Sequence, residues 1–383
     1  MNNKRKMGIN LNEVTVKTMH SSIKKSMILI CIIYLAAAMI IYPHGSIEAA
    51  KSALSLCANV AVPSLFPFMF CSNMFIALGA AGYARRYLSR IMQPLFGVTG
   101  AGAAALVCGV VSGYPIGAVC AAELYRTGEC SKTEAERLLA FCNNSGPMFV
   151  IGAVGAGMFK SREIGVFLYI IHVFSALITG MIFKYIGGKE NQRALPPPTK
   201  SDIKNTAADI GAAVTGAVSS MLTVCGFVVI FSVLISAIPN TPLKPYVHSV
   251  LEITGGLAEL TRICRGAYGL TATSALIAFS GVSVMAQVAS VADRAGLSVL
   301  PYFKGKCCQA AVAAMLTLLA LRTAPMSVDV FGGEIIAVTP IPQAAELFYA
   351  SVKVIALCTA AFAAVFAAAE IAEGIERRRR NTI

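Results

Sequence analysis

Blocks of apolar residues long enough to cross a bilayer recur along the chain, and most are interrupted near their middle by Pro, Gly or Asn. In lipid every backbone N–H and C=O must be satisfied internally, so such blocks fold as helices. An interruption at membrane depth is tolerated only where protein or a water-filled cavity covers it. Composition agrees: 56% of the 383 residues are hydrophobic and 13% are charged, about half the charged share of a soluble domain. The expected fold is all-α and polytopic in the membrane. Intrinsic disorder, a nucleic-acid-binding domain and a disulfide-stapled secreted fold are excluded. The net charge of +13 is expected to sit in cytoplasmic loops as a topology signal.

Residues 1–26 carry Lys4, Arg5, Lys6, Lys17, Lys24 and Lys25, and the apolar run Met27 to Tyr42 that follows is expected as an uncleaved first span. The next block, about 53–78, contains Val62-Pro-Ser-Leu-Phe-Pro67, whose prolines predict a break or kink. Residues 100–123 are Gly-rich and divided by Ser112-Gly-Tyr-Pro115 into halves too short to span, which predicts a re-entrant hairpin. A span over 138–159 is interrupted by Asn143-Asn-Ser-Gly-Pro147, and one over 164–186 is not. The second half offers a span over 210–238, a second re-entrant hairpin over 266–292, and spans over 307–321 and 341–370. Glu346 and Lys353 in the last are expected to pair internally. The expected organisation is a basic N-terminus and first span (1–46), a first repeat (47–187), a linker containing Pro196-Pro-Pro198 (188–207), a second repeat (208–373) and a basic tail (374–383), with about seven full spans.

A shift of 168 positions lays Ser112-Gly113 on Ser280-Gly281, Ala118 on Ala286, Ala121 on Ala289, Arg126 on Arg294 and Gly128 on Gly296. The same shift lays Cys57 on Cys225 and Ser64 on Ser232. Three crossings per repeat would invert the second repeat in the membrane, an arrangement of secondary transporters whose substrate site lies at the midplane. With the N-terminus inside, segments 1–26, 80–137 and 184–208 carry 6, 6 and 5 Lys/Arg on the cytosolic side. Seven crossings leave Arg377 to Arg380 outside, against that rule, so the side of the C-terminus stays open.

Pro115 and Pro147 are placed to start half-helices at membrane depth, whose free N–H groups and positive dipole ends suit a carboxylate. Candidate substrate-binding residues are Ser112, Gly113, Tyr114 and Pro115 at the first interruption and Asn143, Asn144, Ser145 and Gly146 at the next. Ser280, Gly281, Ser283 and Gln287 are the candidates of the second half, although Ser280 and Ser283 are also suited to capping a turn. His172, alone in its span, reads as a packing residue. The cysteines form no C-x-x-C pair, the four His do not cluster, and no nucleophile–base pair stands out, so neither an enzyme nor a metal or other cofactor is expected.

Three stretches, Pro63-Ser-Leu-Phe-Pro-Phe68, the run from Phe96-Gly-Val-Thr-Gly-Ala-Gly-Ala103 into Cys108-Gly-Val-Val-Ser-Gly-Tyr-Pro-Ile-Gly-Ala118, and Asn143-Asn-Ser-Gly-Pro147, resemble the YlbJ-like family of sporulation integral membrane proteins. The resemblance covers most of residues 47–370 and implies the nucleoside-recognition "Gate" repeat, shared with concentrative nucleoside transporters and ferrous-iron transporters. It also implies a role in endospore formation, moving dipicolinic acid across the outer forespore membrane. The second half departs from the motif, with Val282-Ser283 where the first half has Tyr114-Pro115. The expected partners are the lipid bilayer and a small anionic substrate, not nucleic acid, and a homo-oligomer is compatible. Alternatives are a nucleoside or ion transporter of Gate fold and a non-transporting assembly factor in sporulation. The assembly role needs a large polar surface, and the longest polar segments are the N-terminus and the linker.

Overall fold

The computed structural model describes residues 29–186, 206–264, 266–323, 327–330 and 334–337. Helix α1 (Leu29–Ile41) leads into α2 (Pro43–Leu56), a π turn (Cys57–Ala61) and α3 (Val62–Ala77). The last three form one continuous 35-residue helix. The expected break at Pro63 and Pro67 is therefore absent. Pro63 directly follows the wide π turn, and Pro67 lies inside α3 without ending it.

Helix α4 (Ala80–Phe96) runs between two glycines in the left-handed region, Gly79 and Gly97. It is pinned inward: Arg85 pairs with Glu129 at 3.1 Å, Arg137 donates to the Gly97 carbonyl and Lys184 donates to the Pro94 carbonyl. Arg85, Arg137 and Lys184 thus gather on one face of the helical body, called the basic face below, as the charge distribution predicts.

From this face α5 (Gly102–Ser112) descends, the chain turns at Gly113 to Pro115, and α6 (Ile116–Arg126) climbs back alongside α5. A helical hairpin thus forms at the expected place. Helix α7 (Lys132–Cys142) descends again from a Ser131–Glu134 capping box. Residues 143–147 are non-helical, and the π segment Met148–Met158 continues to the opposite face. Helix α8 (Arg162–Ile186) returns to Lys184 on the basic face.

Helix α9 (Thr206–Ser236) runs antiparallel to α3, with Asn73 Nδ2 donating to the Ala213 carbonyl at 3.0 Å. It ends at the opposite face. There α10 (Lys244–Leu251) and α11 (Ile253–Ile263) pack against one another around Glu252, a second helical hairpin entering from the opposite side. Helices α12 (Gly266–Phe279) and α13 (Gly281–Arg294) meet at Ser280, whose φ is +70°. They do not pack along each other. Just beyond α13, Ser298 N donates to Glu136 Oε1 at 2.8 Å, which brings this end to the basic face. Helix α14 (Leu300–Thr323) starts from there.

Two expectations are corrected. Residues 266–294 form two helices that do not fold back on each other, so the expected hairpin there is absent, and the helical hairpin of the second half is α10–α11. The 168-residue register therefore pairs a hairpin with a crossing. It also predicts Arg126 and Arg294 on opposite faces, whereas Glu136 and Ser298 bring their loops together.

Among the described residues five helices are long and apolar enough to cross a membrane: Pro43–Ala77, Arg162–Ile186, Ile210–Ser236, Gly266–Arg294 and Leu300–Arg322. Leu29–Ile41, Gly102–Ser112 and Met148–Met158 are apolar but shorter. The expected span over 341–370, the tail 374–383 and most of the linker 188–207 lie outside the described residues. Beyond α14, strands β1 (Ser327–Val330) and β2 (Glu334–Ala337) pair antiparallel, Ser327 opposite Ala337.

Large apolar side chains such as Phe174, Leu222 and Leu319 point outward, as an integral membrane protein's must. Inside, backbone meets backbone. A Cβ on Gly109 would lie 1.7 Å from the Cys142 carbonyl oxygen, one on Gly117 2.3 Å from the same atom, and one on Gly305 2.2 Å from the Ala140 carbonyl oxygen. Small residues at helix crossings permit this approach, and three of them hold α5, α6 and α14 against the end of α7.

Candidate functional site at the helix breaks

The two interruptions of the first half touch. A Cβ on Gly113, where φ is +83°, would lie 2.9 Å from the amide nitrogen of Gly146. The hairpin tip therefore rests on the break between α7 and the π segment. Tyr114 packs edge-on against Phe149, centroids 6.5 Å apart, with its hydroxyl beside Ser145.

Each polar residue of the break has a defined partner. Asn143 Oδ1 accepts from the Ala118 N–H at 3.3 Å, capping the first turn of α6 from a neighbouring element, and its Nδ2 donates to Tyr302 Oη at 3.4 Å. Asn144 Nδ2 donates to the Phe141 carbonyl at 2.8 Å, and its Oδ1 accepts from Gln309 Nε2 at 3.0 Å. The Ser145 N–H donates to His172 Nε2 at 3.0 Å, and its hydroxyl reaches the Ile277 carbonyl at 3.5 Å. Acceptance at Nε2 puts the ring proton on Nδ1, which has no partner among the described residues.

Helix α14 supplies what sequence reasoning missed. Tyr302, Lys306, Gln309, Ala313 and Thr317 recur at helical spacing and are all fully buried. Lys306 Nζ donates to Gln309 Oε1 at 2.7 Å and lies 5.8 Å from the centre of the Tyr302 ring. Among the described residues no carboxylate is within ion-pair distance of it. The signal was Pro301, which marks a helix start and places Lys306 inside the helix rather than in its flank. Thr317 continues the polar track to Ser274 of α12 at 2.8 Å.

The remaining sequence candidates divide. Ser283 and Gln287 of α13 line a cleft together with Tyr114, Gly146 and Glu252. Among the described residues Ser283 Oγ and Gln287 Oε1 are buried without hydrogen-bond partners. Ser280, at the α12–α13 joint, lies beside Tyr302, and Gly281 packs against Val250 and Ile253 at the tip of α10–α11. Ser112 turns away from the cleft: its hydroxyl donates to the Phe68 carbonyl at 3.0 Å and contacts Ser72. Pro115 and Pro147 precede the first residues of α6 and of the π segment, as expected of helix starters. His172, read as a packing residue, is buried and also orients Ser145.

The chain is 31% identical over 328 residues to the sporulation integral membrane protein YlbJ of Bacillus subtilis (strain 168), an alignment covering 75% of this chain and 80% of that protein. No family model and no solved structure matches it.

Proposed function

We propose that this chain, which belongs to the YlbJ family of sporulation integral membrane proteins, transports a small organic anion, dipicolinate, across the outer forespore membrane. The observation that carries this reading is Lys306. A basic side chain, fully buried in a crossing helix and facing amides rather than a carboxylate, is costly in a membrane and marks a pathway. An anionic substrate supplies the missing countercharge. Asn144 and Gln309, already linked to Lys306 in one hydrogen-bonded chain, can re-aim their N–H groups at a carboxylate, and His172 Nδ1 is a further donor without a partner.

The architecture supports a carrier. In each half a helical hairpin is followed by a broken crossing and an unbroken one: α5–α6, α7 with the π segment, and α8, then α10–α11, α12–α13, and α14. The first set starts from the basic face and the second from the opposite one, which is an inverted relation. Tyr114 and Glu252, the hairpin tips, are separated in sequence by as much as Arg162 and Leu300, the starts of α8 and α14. Inverted repeats with broken helices meeting at depth suit alternating access.

A second reading, a neutral nucleoside, draws on the cleft, where the Ser283 and Gln287 oxygens are acceptors awaiting donors. Titrating purified protein with dipicolinate and with uridine separates the two. Each hydrogen bond to a charged group is worth about 1.5–3 kcal/mol, so Asn144→Ala weakens dipicolinate binding by roughly ten- to a hundredfold. Asn144→Asp weakens it further through repulsion. Unchanged dipicolinate affinity in Asn144→Asp contradicts the anion reading, and uridine binding that tolerates Asp favours the nucleoside.

A further inference from the structure

Among the titratable groups of the α10–α11 hairpin, Glu259, His248 and Glu252 are of graded exposure and are not used by the anion site. Glu259 is 44% exposed at its side chain and His248 12%. Glu252 is 2% exposed and lines the cleft at the hairpin tip. His248 Nδ1 is 3.1 Å from Glu259 Oε1, an ion-pair approach rather than an aligned hydrogen bond. On the other side of the ring, His248 Nε2 and Glu252 Oε2 both border the space over Gly255, where a Cβ would meet them at 2.8 and 3.2 Å. Gly255 therefore keeps open the gap between imidazole and carboxylate, which are not hydrogen-bonded directly and would exchange a proton through a bridging water.

Glu252 is held in place but not neutralised. Its oxygens accept from the N–H groups of Thr254 and Gly255, at 2.9 and 2.7 Å, capping α11. Among the described residues no lysine or arginine pairs with it. The groups that face it from other elements are Tyr114 at the α5–α6 tip and Cys57 in the π turn, with Ser283 and Gln287 of α13 lining the same cleft. A buried carboxylate without a cationic partner, lining a cleft between apolar helices, is suited to carry a proton.

We propose that Glu259, His248 and Glu252 form a proton path from the opposite face into the cleft, and that the protein couples proton movement to anion movement. This rests on the anion-transport reading. His248 takes a proton at Nδ1 from Glu259 or water and gives up the one on Nε2 to the Glu252 carboxylate. The ring is then left with its proton on Nδ1; a ring flip restores the starting arrangement and Glu259 regains its proton from water at the opposite face, so proton and charge counts balance. A protonated Glu252 no longer sets a negative charge against the arriving anion, which links the two movements.

Vesicles containing the purified protein distinguish the possibilities. Exchange of labelled for unlabelled dipicolinate, with no gradient, reports the carrier alone; accumulation driven by an imposed pH gradient, with an entrapped pH dye, reports coupling. Wild type should show both. Glu252→Gln, whose amide oxygen still caps α11, should keep exchange and lose gradient-driven accumulation and dye response. His248→Gln should slow coupled uptake without altering exchange. Absence of exchange in wild type overturns the carrier reading. Exchange in wild type without response to the gradient overturns the proton path, as does full coupling in Glu252→Gln.

Discussion

In the proposed carrier Lys306 costs stability and binds substrate. An ionised side chain costs about 2.5–3.5 kcal/mol at the centre of a membrane helix; Lys306 lies in the second turn of α14, and a single amide oxygen and an aromatic face offset its share of that cost. Lys306→Met removes that burden at similar volume, so its melting temperature should match or exceed that of wild type, while dipicolinate affinity falls beyond detection. A marked drop in melting temperature would make Lys306 a structural residue. Ser112 should behave differently from Asn144. Its hydroxyl is committed to Phe68 and Ser72, so Ser112→Ala should lower stability by about 1 kcal/mol and leave binding within error in the same titration.

At the scale of elements, glycine decides where helices cross. Gly305→Ala drives a Cβ into the Ala140 backbone, which cannot yield as a side-chain tip can. Thermal unfolding in detergent should show a loss of several degrees or failure to fold. Gly226→Ala, with nothing within 4 Å, should be neutral or stabilising, since Ala is a better helix former by about 1 kcal/mol. Equal effects would mean the crossing is looser than described. The first-half elements were legible in the sequence because Pro115 and Pro147 mark where α6 and the π segment start, a local effect. The second half resisted for a physical reason. Residues 244–263 carry Lys244, Glu252, Glu259 and Arg262, which masked a hairpin whose buried side is nevertheless apolar, with Ile253, Leu257 and Leu260 inside. Ser280-Gly281 resembled a hairpin tip because the same residue types serve any tight joint, whichever way the chain leaves it. Of the candidate site, positions 114, 143–146, 283 and 287 were visible at or near the breaks. Lys306 and Gln309 were not, since only tertiary packing buries them.

For the whole molecule, the path of the chain through the bilayer is the testable consequence. In a cysteine-free background, Thr127→Cys and Ala295→Cys should react with a membrane-impermeant maleimide from one and the same side, because Glu136 and Ser298 join their loops. Ser161→Cys and Asn240→Cys should react from the other. Labelling of positions 127 and 295 from opposite sides would restore the 168-residue register and undo the assignment of α10–α11 as the inverted counterpart of α5–α6. On the proposed transport reading, the two hairpins and the broken helices between them enclose the route of the substrate. The most direct test is uptake of labelled dipicolinate into vesicles containing purified wild type or Lys306→Met. The account predicts time-dependent, saturable uptake by wild type and none above protein-free vesicles by Lys306→Met, with both inserted equally. Uptake by neither protein, or the same uptake by both, would contradict it.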